Sequence, residues 1–194
     1  MQLEIFKYKE VTSTNDIAMK LIREKNKESG FVYAETQTKG RGTQGSRWIS
    51  EMGNFFGTIF FQLKKSYPPF NEFSIINPVI ISEIIYNFCN DCKISFKWPN
   101  DILLNDKKVC GILQEVITLN NKNFLLIGVG INTISNPKIS KAYQATNIFI
   151  ETKKKHEKDE IIKLIKSSYE KFFLNINSYN FLNFKSKAQL MAVN

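Results

Sequence analysis

Two short stretches concentrate the directional chemistry of this chain. Lys97-Trp98-Pro99-Asn100-Asp101 is followed closely by Lys107-Lys108-Val109-Cys110-Gly111-Ile112-Leu113-Gln114-Glu115. Together they set a cis-capable proline, an amide, a carboxylate, a lysine and a strand glycine beside a continuous apolar strand. Packing alone does not call for such a density of polar groups. Upstream lies Gly40-Arg41-Gly42-Thr43-Gln44-Gly45-Ser46-Arg47-Trp48. Its glycines let a ligand approach the backbone, and Arg41 can grip an anion with its fork of donors.

The glycine segment literally matches the dinucleotide-binding spacing Gly40-x-Gly42-x-x-Gly45, and it follows a strand. No helix opens behind it to offer its N-terminus to a pyrophosphate, so that reading fails. A phosphate-cradling Walker loop fails too, because no Lys-Ser/Thr follows the last glycine. What remains is a loop of about ten residues between strands, and long loops rich in Gly and Arg tend to carry function.

Other reactive residues read as bland. Cys89-x-x-Cys92 falls near a helix C-terminus, where the dipole does not favour a thiolate, so redox or metal chemistry is disfavoured. Cys110 sits in an apolar strand and reads as packing. His156, the one histidine, lies in a basic, exposed-looking run and cannot supply a histidine triad or a His-based metal site.

The elements that must position these groups follow from hydrophobic periodicity. Leu3–Lys9 reads as a strand. Thr12-Ser13-Thr14-Asn15 offers N-cap candidates for a helix running to about Lys25, with Asp16 at its positive end and Gly30 closing the unit. Phe31–Thr36 and Asn54–Leu63 read as strands, the second broken by Gly57. A buried helix follows from about Glu72 to Asn90, then strands at Lys93–Trp98, Lys107–Ile117 and Phe124–Ile131. Asn120-Asn121 suits a hairpin turn, and Asn100-Asp101 also has turn chemistry. Residues 133–150 read as loop, and helices from about Lys158 to Asn175 and Tyr179 to Leu190 close the chain. Strands interrupted by helices, with an adjacent antiparallel pair, predict an α+β fold.

Bulk properties bound the rest. A chain of 194 residues suits one domain with a real core. With 43% hydrophobic residues, 16 of its residues being Phe, it is not a disordered chain. No apolar run is long enough for a membrane span, and no secretion signal opens the sequence. Three Cys are too few for a disulfide scaffold and fit a reducing cytoplasm. The net charge of +9 is spread: residues 1–150 hold 18 basic and 13 acidic residues, residues 151–194 hold 9 and 5. With only three Arg, two of them in the glycine segment, the charge reads as a solvated basic surface rather than a nucleic-acid groove. Attraction to an acidic protein partner is a third reading.

Taken in order, four blocks resemble the signature of biotin protein ligases. Ser13-Thr14-Asn15 matches a motif that opens the first helix. Gly40, Arg41, Gly42, Gly45 and Trp48 match the glycine loop, and Lys97-Trp98-Pro99-Asn100-Asp101 with Lys108, Gly111, Ile112, Leu113 and Glu115 match the central block. Gly128, Gly130, Ile131 and Asn132 match the last. The resemblance implies an α+β domain with a mixed, largely antiparallel sheet and flanking helices, like the catalytic domain of class II aminoacyl-tRNA synthetases. It implies ATP-dependent activation of biotin, with Mg²⁺, and transfer to a lysine of a biotin carrier domain. It assigns Ser13, Thr14, Asn15, Gln37 and Gly40 to biotin, with Gly111 leaving room for its tail. Lys108 and Arg41 would neutralise the reacting carboxylate and α-phosphate. Gly42, Thr43, Gly45, Trp48, Asn100 and Asn132 would line the adenylate, and Asp101 would place either the metal or the acceptor amine.

The family pattern also sets expectations at the margins. It carries a second arginine two positions after the first, where this chain has Thr43, so some release of the activated intermediate is expected. Residues 1–194 are expected to form one catalytic domain, without an N-terminal helix-turn-helix module and without the small C-terminal β-barrel. No specific DNA partner and no membrane are expected, while homodimerisation stays open. The rival readings are a lipoate or octanoate ligase of the same fold, and a non-catalytic biotin or adenylate binder.

Overall fold

In a computed structural model of the protein, residues 1–137 and 144–192 are described. They form a seven-stranded sheet in the order β1-β2-β3-β7-β6-β5-β4. The strands are β1 (Ile5–Val11), β2 (Ser29–Gln37), β3 (Phe55–Gln62), β4 (Ile94–Lys97), β5 (Asp101–Leu104), β6 (Lys107–Leu119) and β7 (Lys122–Ile131). Only β1 and β2 run parallel, joined across helix α1 (Thr14–Lys25); every other neighbour is antiparallel. The mixed, largely antiparallel α+β arrangement is the one expected.

Period-2 alternation divides the core between the two faces of the sheet. Ile59, Ile112, Ile127 and Val129 point to one face, where helices α2 (Phe73–Tyr86) and α4 (Lys158–Leu174) pack over them. Ten of the 14 residues of α2 are buried, so this helix has little amphipathic contrast and is a core element rather than a surface one. Within that layer Tyr169 donates to Asn77 Oδ1 at 2.9 Å, and the Asn77 amide donates in turn to Gln114. On the other face Val32, Phe60 and Leu126 meet Ala18, Leu21 and Ile22 of α1. Burying each large aliphatic side chain contributes roughly 1.5–3 kcal/mol. α1 covers only the β2-β3-β7 side of this face.

Several boundaries differ from the periodicity reading. Asn26, in the left-handed region at φ 51°, ends α1 by donating its N–H to Leu21; Gly30 instead lies inside β2. β3 runs unbroken through Gly57. β5 and helix α3 (Ile148–Thr152) were not foreseen, and the last helix, α5, spans Phe181–Met191. α3 begins at Asn147, whose side chain accepts from the Ile150 N–H at 2.8 Å. The Asn120-Asn121 hairpin is present with both residues at positive φ, and Asn105-Asp106 makes a second turn of the same kind between β5 and β6. The Trp98–Pro99 peptide is cis.

Candidate active site

The half-face of the sheet beyond α1 is the floor of a cleft holding about 930 Å³ of empty space, its open mouth included. Register explains the floor. Gly111 on β6 lies opposite Gly130 on β7, and Gly128 lies two residues before it, opposite Leu113. A β-carbon on Gly111 or Gly130 would lie 2.5 Å from the Trp48 ring, and one on Gly128 would lie 2.5 Å from Asn15 Oδ1. The three glycines therefore let the loop indole and the start of α1 sit directly on the backbone of the sheet. The space at Gly111, expected to admit a ligand tail, holds the Trp48 ring.

The central block is aimed by a bulge. Asp101 pairs with Gly111 and Ile102 with Cys110, but Leu103 pairs with Lys108, leaving Val109 as an extra residue in β6. Side chains alternate along a strand, so a regular β6 would send Lys108 and Gly111 to opposite faces. The extra residue turns Lys108 to the Gly111 face, the face of Asp101. There Lys108 Nζ meets Asp101 Oδ1 at 2.7 Å, both side chains about four-fifths buried, and lies 5.4 Å from the centroid of the Trp48 ring. Asp101 thus opens a strand rather than serving as a turn former, while Asn100 lines the cleft beside it. Cys110, on the opposite side of β6, is fully buried, and burial pushes its thiol well above the ordinary value.

The glycine segment folds back on itself. Gly42 N–H donates to Ser46 O at 2.8 Å and Trp48 N–H to Gly40 O at 2.9 Å. This small hairpin presents Arg41 to the sheet. Its Nη1 and Nη2 donate to the two oxygens of Glu115 at 2.8 and 2.7 Å, and Nη2 also lies 3.0 Å from Asp16. Glu115 accepts from Asn15 Nδ2 at 2.7 Å, and Thr58 donates to Asn15 Oδ1 at 2.5 Å. Thr14 continues the line, its N–H donating to Gln37 Oε1 at 2.8 Å, while Gln37 Nε2 donates to Ser50 at 3.0 Å. Ser13 occupies the N-cap position of α1, yet its hydroxyl makes no capping bond and the residue is buried on the cleft wall.

At the other end, Asn132 Nδ2 donates to Thr146 O at 3.1 Å, but among the described residues its buried Oδ1 has no partner. Arg41 Nε and Trp48 Nε1 are likewise buried and unpartnered. All three residues line the cleft. Leaving each of these atoms unpaired is costly, so three residues of one cleft carry polar groups that the described residues do not satisfy.

The structure thus brings together Ser13, Thr14, Asn15, Gln37, Arg41, Gly42, Thr43, Trp48, Asn100, Asp101, Lys108, Gly111 and Asn132 around one cleft. Gly40 and Gly45 shape the loop without lining it. Asp16, Thr58 and Glu115 join the polar network, and Arg47 lines the cleft, none of which the sequence had placed there. Among the described residues no group of three or more His, Cys, Asp or Glu is arranged to hold a metal ion. His156 is not exposed: 17% of its side chain is accessible and its ring lies 4.6 Å from Phe88. Burial pushes the Cys89 thiol up to about 12, against any ready thiolate.

Known proteins share this architecture. A biotin–[acetyl-CoA-carboxylase] ligase of Paracoccus denitrificans is 27% identical over 175 residues, covering 87% of this chain and 72% of that protein. The bifunctional ligase/repressor BirA of Escherichia coli is 32% identical over 124 residues, 63% of this chain but 38% of its own length. Biotin protein ligase from Aquifex aeolicus, solved in complex with biotin and ATP, superposes with a TM-score of 0.81 at 26% identity over 98% of this chain and 78% of that one. The Leishmania major enzyme, solved with biotinyl-5-AMP, shares the fold with a TM-score of 0.84 at 23% identity, over 98% of this chain and 81% of its own. The model of the biotin/lipoate A/B protein ligase family matches residues 8–132, and the chain belongs to that family.

Proposed function

We propose that this chain is a biotin protein ligase that forms biotinyl-5′-AMP from biotin and ATP, then transfers biotin to a lysine of a carrier domain of the acetyl-CoA carboxylase type. The observation that carries the reading is the convergence of Lys108, Arg41, Trp48 and Asn132 on one glycine-floored cleft. In the first step a carboxylate must approach the α-phosphate although both are anionic. Lys108 and Arg41 supply the fixed positive charge that such an approach requires, in a partly buried setting where charge acts strongly. The carboxylate oxygen bonds to phosphorus and pyrophosphate leaves.

In the second step the carrier amine attacks the acyl carbon and AMP leaves. Asp101, held against Lys108, is placed to orient that amine and take up its proton. Ser13, Thr14 and Gln37 form the short polar wall that suits a neutral ureido head, and Trp48 and Asn132 form the adenine side. Mg²⁺ enters with ATP as part of the substrate. The three free thiols suit a reducing cytoplasm, and no described helix is long and apolar enough to cross a membrane.

The test is to mix the chain with MgATP, a biotin carrier domain and an unrelated lysine-rich protein, adding biotin in one series and lipoate in another. The proteins are then weighed. One biotin on the carrier establishes the ligase. Equal transfer of lipoate moves the reading to the lipoate branch of the family, and ligand binding without pyrophosphate release moves it to a binder.

A further inference from the structure

Asn54 takes no part in the cleft, yet it is fully buried and makes an unusual set of bonds. Its Oδ1 accepts the N–H groups of three successive residues, Thr133 at 3.0 Å, Ile134 at 3.2 Å and Ser135 at 3.1 Å. Its Nδ2 donates to Ser135 O at 3.0 Å, and the neighbouring Gly53 O accepts from Thr133 Oγ1 at 2.7 Å. One short amide side chain thus takes the place of a set of backbone partners. Gly53 stands at φ 97°, and a β-carbon there would collide with Ile134. Gly53-Asn54 therefore clamps residues 133–135 in a single conformation.

The residue immediately before the clamp is Asn132. Its N–H is fixed by Val109 O at 2.8 Å, its carbonyl by Ile148 N–H at 3.0 Å and its Nδ2 by Thr146 O. One group of this cleft-lining residue is left over, its Oδ1, buried and without a partner among the described residues. Oδ1 can only accept. It suits a base that carries an exocyclic amine and rejects one with a carbonyl in its place, because two acceptors would then face each other.

We propose that Asn54 is a positioning residue that sets nucleotide-base selectivity by holding Asn132 Oδ1 in place. The inference rests on the adenylate-forming reading above. Pyrophosphate release is followed with ATP and with inosine triphosphate at saturating biotin. Asn54→Ala is expected to raise the KM for ATP roughly tenfold, about one lost hydrogen bond, while leaving that for inosine triphosphate nearly unchanged. The biotin KM stays as it was. Asn54→Asp, which keeps an acceptor for the three N–H groups, is expected to restore the preference to within about threefold of the unaltered chain.

A fall in kcat with the base preference intact would overturn the proposal, as would equal loss of preference in both variants. Should Asn54→Ala fail to fold, Thr133→Val, which removes one bond from the same turn, carries the test. A preference equal to the unaltered chain's in that variant overturns the proposal. Should the unaltered chain release no pyrophosphate, the reaction reading falls by itself. Equilibrium binding of AMP against IMP across the same variants then decides the role of Asn54.

Discussion

Arg41 and Glu115, 74 residues apart, face each other through two parallel hydrogen bonds of 2.8 and 2.7 Å. With Asp16 at 3.0 Å from the same guanidinium, a single arginine is held by two carboxylates, while its Nε is left without a partner among the described residues. The pair therefore pins the glycine loop against β6.

The pin is measurable by proteolysis. Arg41 and Glu115 are about one-third and one-quarter exposed, so after discounting for solvent the pair contributes about 1 kcal/mol. Glu115→Gln should therefore let trypsin cut after Arg41 roughly fivefold faster, since cleavage follows the population of the opened loop. Protection should return on adding biotin and ATP. A cutting rate equal to that of the unaltered chain would show that the ion pair does not hold the loop.

Trp48 on its glycine floor gives a spectroscopic handle. The chain has two tryptophans, and Trp98 is 58% exposed, so Trp98→Phe isolates the half-buried indole of Trp48. In that background Gly130→Ala places a methyl where the Trp48 ring lies 2.5 Å away. The ring must lift, so its emission should move to longer wavelength and nucleotide affinity should fall roughly tenfold. Unshifted emission would mean that the indole does not rest on the glycines in solution.

Lys108 and Asp101 should separate the two half-reactions. Lys108→Met removes positive charge from the phosphoryl step and should slow pyrophosphate exchange roughly 10²- to 10³-fold. Asp101→Asn keeps the size and a hydrogen-bonding group beside Lys108. It should slow transfer to the carrier more than adenylate formation. Single-turnover rates for the two steps decide, and equal losses in both would assign Asp101 to holding Lys108 alone.

Much of this was legible in the chain, and the omissions share a cause. The periodic helices α1 and α4, and the apolar runs of α2, β3, β6 and β7, announce themselves because each buries several residues. The misses, β5 with 4 residues and α3 with 5, are too short to show a period. The motif blocks named the residues of the cleft but not their partners. Glu115 stood inside a matched block with no role, because its role is Arg41, which only the sheet order brings near. Thr58 and Asn54 lie in or beside an apolar strand, where nothing local separates a buried hydrogen-bonder from a tolerated polar residue. The Val109 bulge is invisible for a different reason. It exists only in the register of β6 against β5, and without it Lys108 would face the helices.

Glu151 makes the Asn132 end of the cleft acid-sensitive. Burial alone would raise its carboxyl. Hydrogen bonds from Thr146 at 2.5 Å and Asn105 at 2.7 Å, with the charge of Lys107, more than offset this and hold it below the ordinary 4.5. A depressed carboxyl contributes stability that is fully present above its unfolded value and is lost as pH falls through the folded one. Thr146 also receives Asn132. Acidification below about pH 4.5 should therefore weaken AMP binding before the whole fold gives way. Glu151→Gln should bind less tightly at pH 7 and lose that acid-dependent step, whereas an identical pH profile in the variant would place the titration elsewhere.

Thr43 stands where the resemblance led to the expectation of a second arginine, and its surroundings leave room for one. Thr43 lines the cleft, and its carbonyl accepts from both Ser46 N–H at 3.0 Å and Ser46 Oγ at 2.7 Å. The backbone of the turn is thus built without using the Thr43 side chain, and an arginine can be accommodated without disturbing it. Arg41 already answers to Glu115 and Asp16, and Arg47, whose Nη2 donates to Thr38 O at 3.1 Å, is the other cation that the loop brings to the cleft. Thr43→Arg adds one cation at the mouth and should slow release of biotinyl-5′-AMP roughly tenfold. Labelling of bystander lysines should fall in step, while transfer to the carrier domain continues. Dissociation measured by rapid dilution, alongside the mass of an added lysine-rich protein, separates the alternatives. Slower release with unchanged bystander labelling would mean that stray biotin arises while the intermediate is still bound, and an unchanged release rate would mean that other residues retain it.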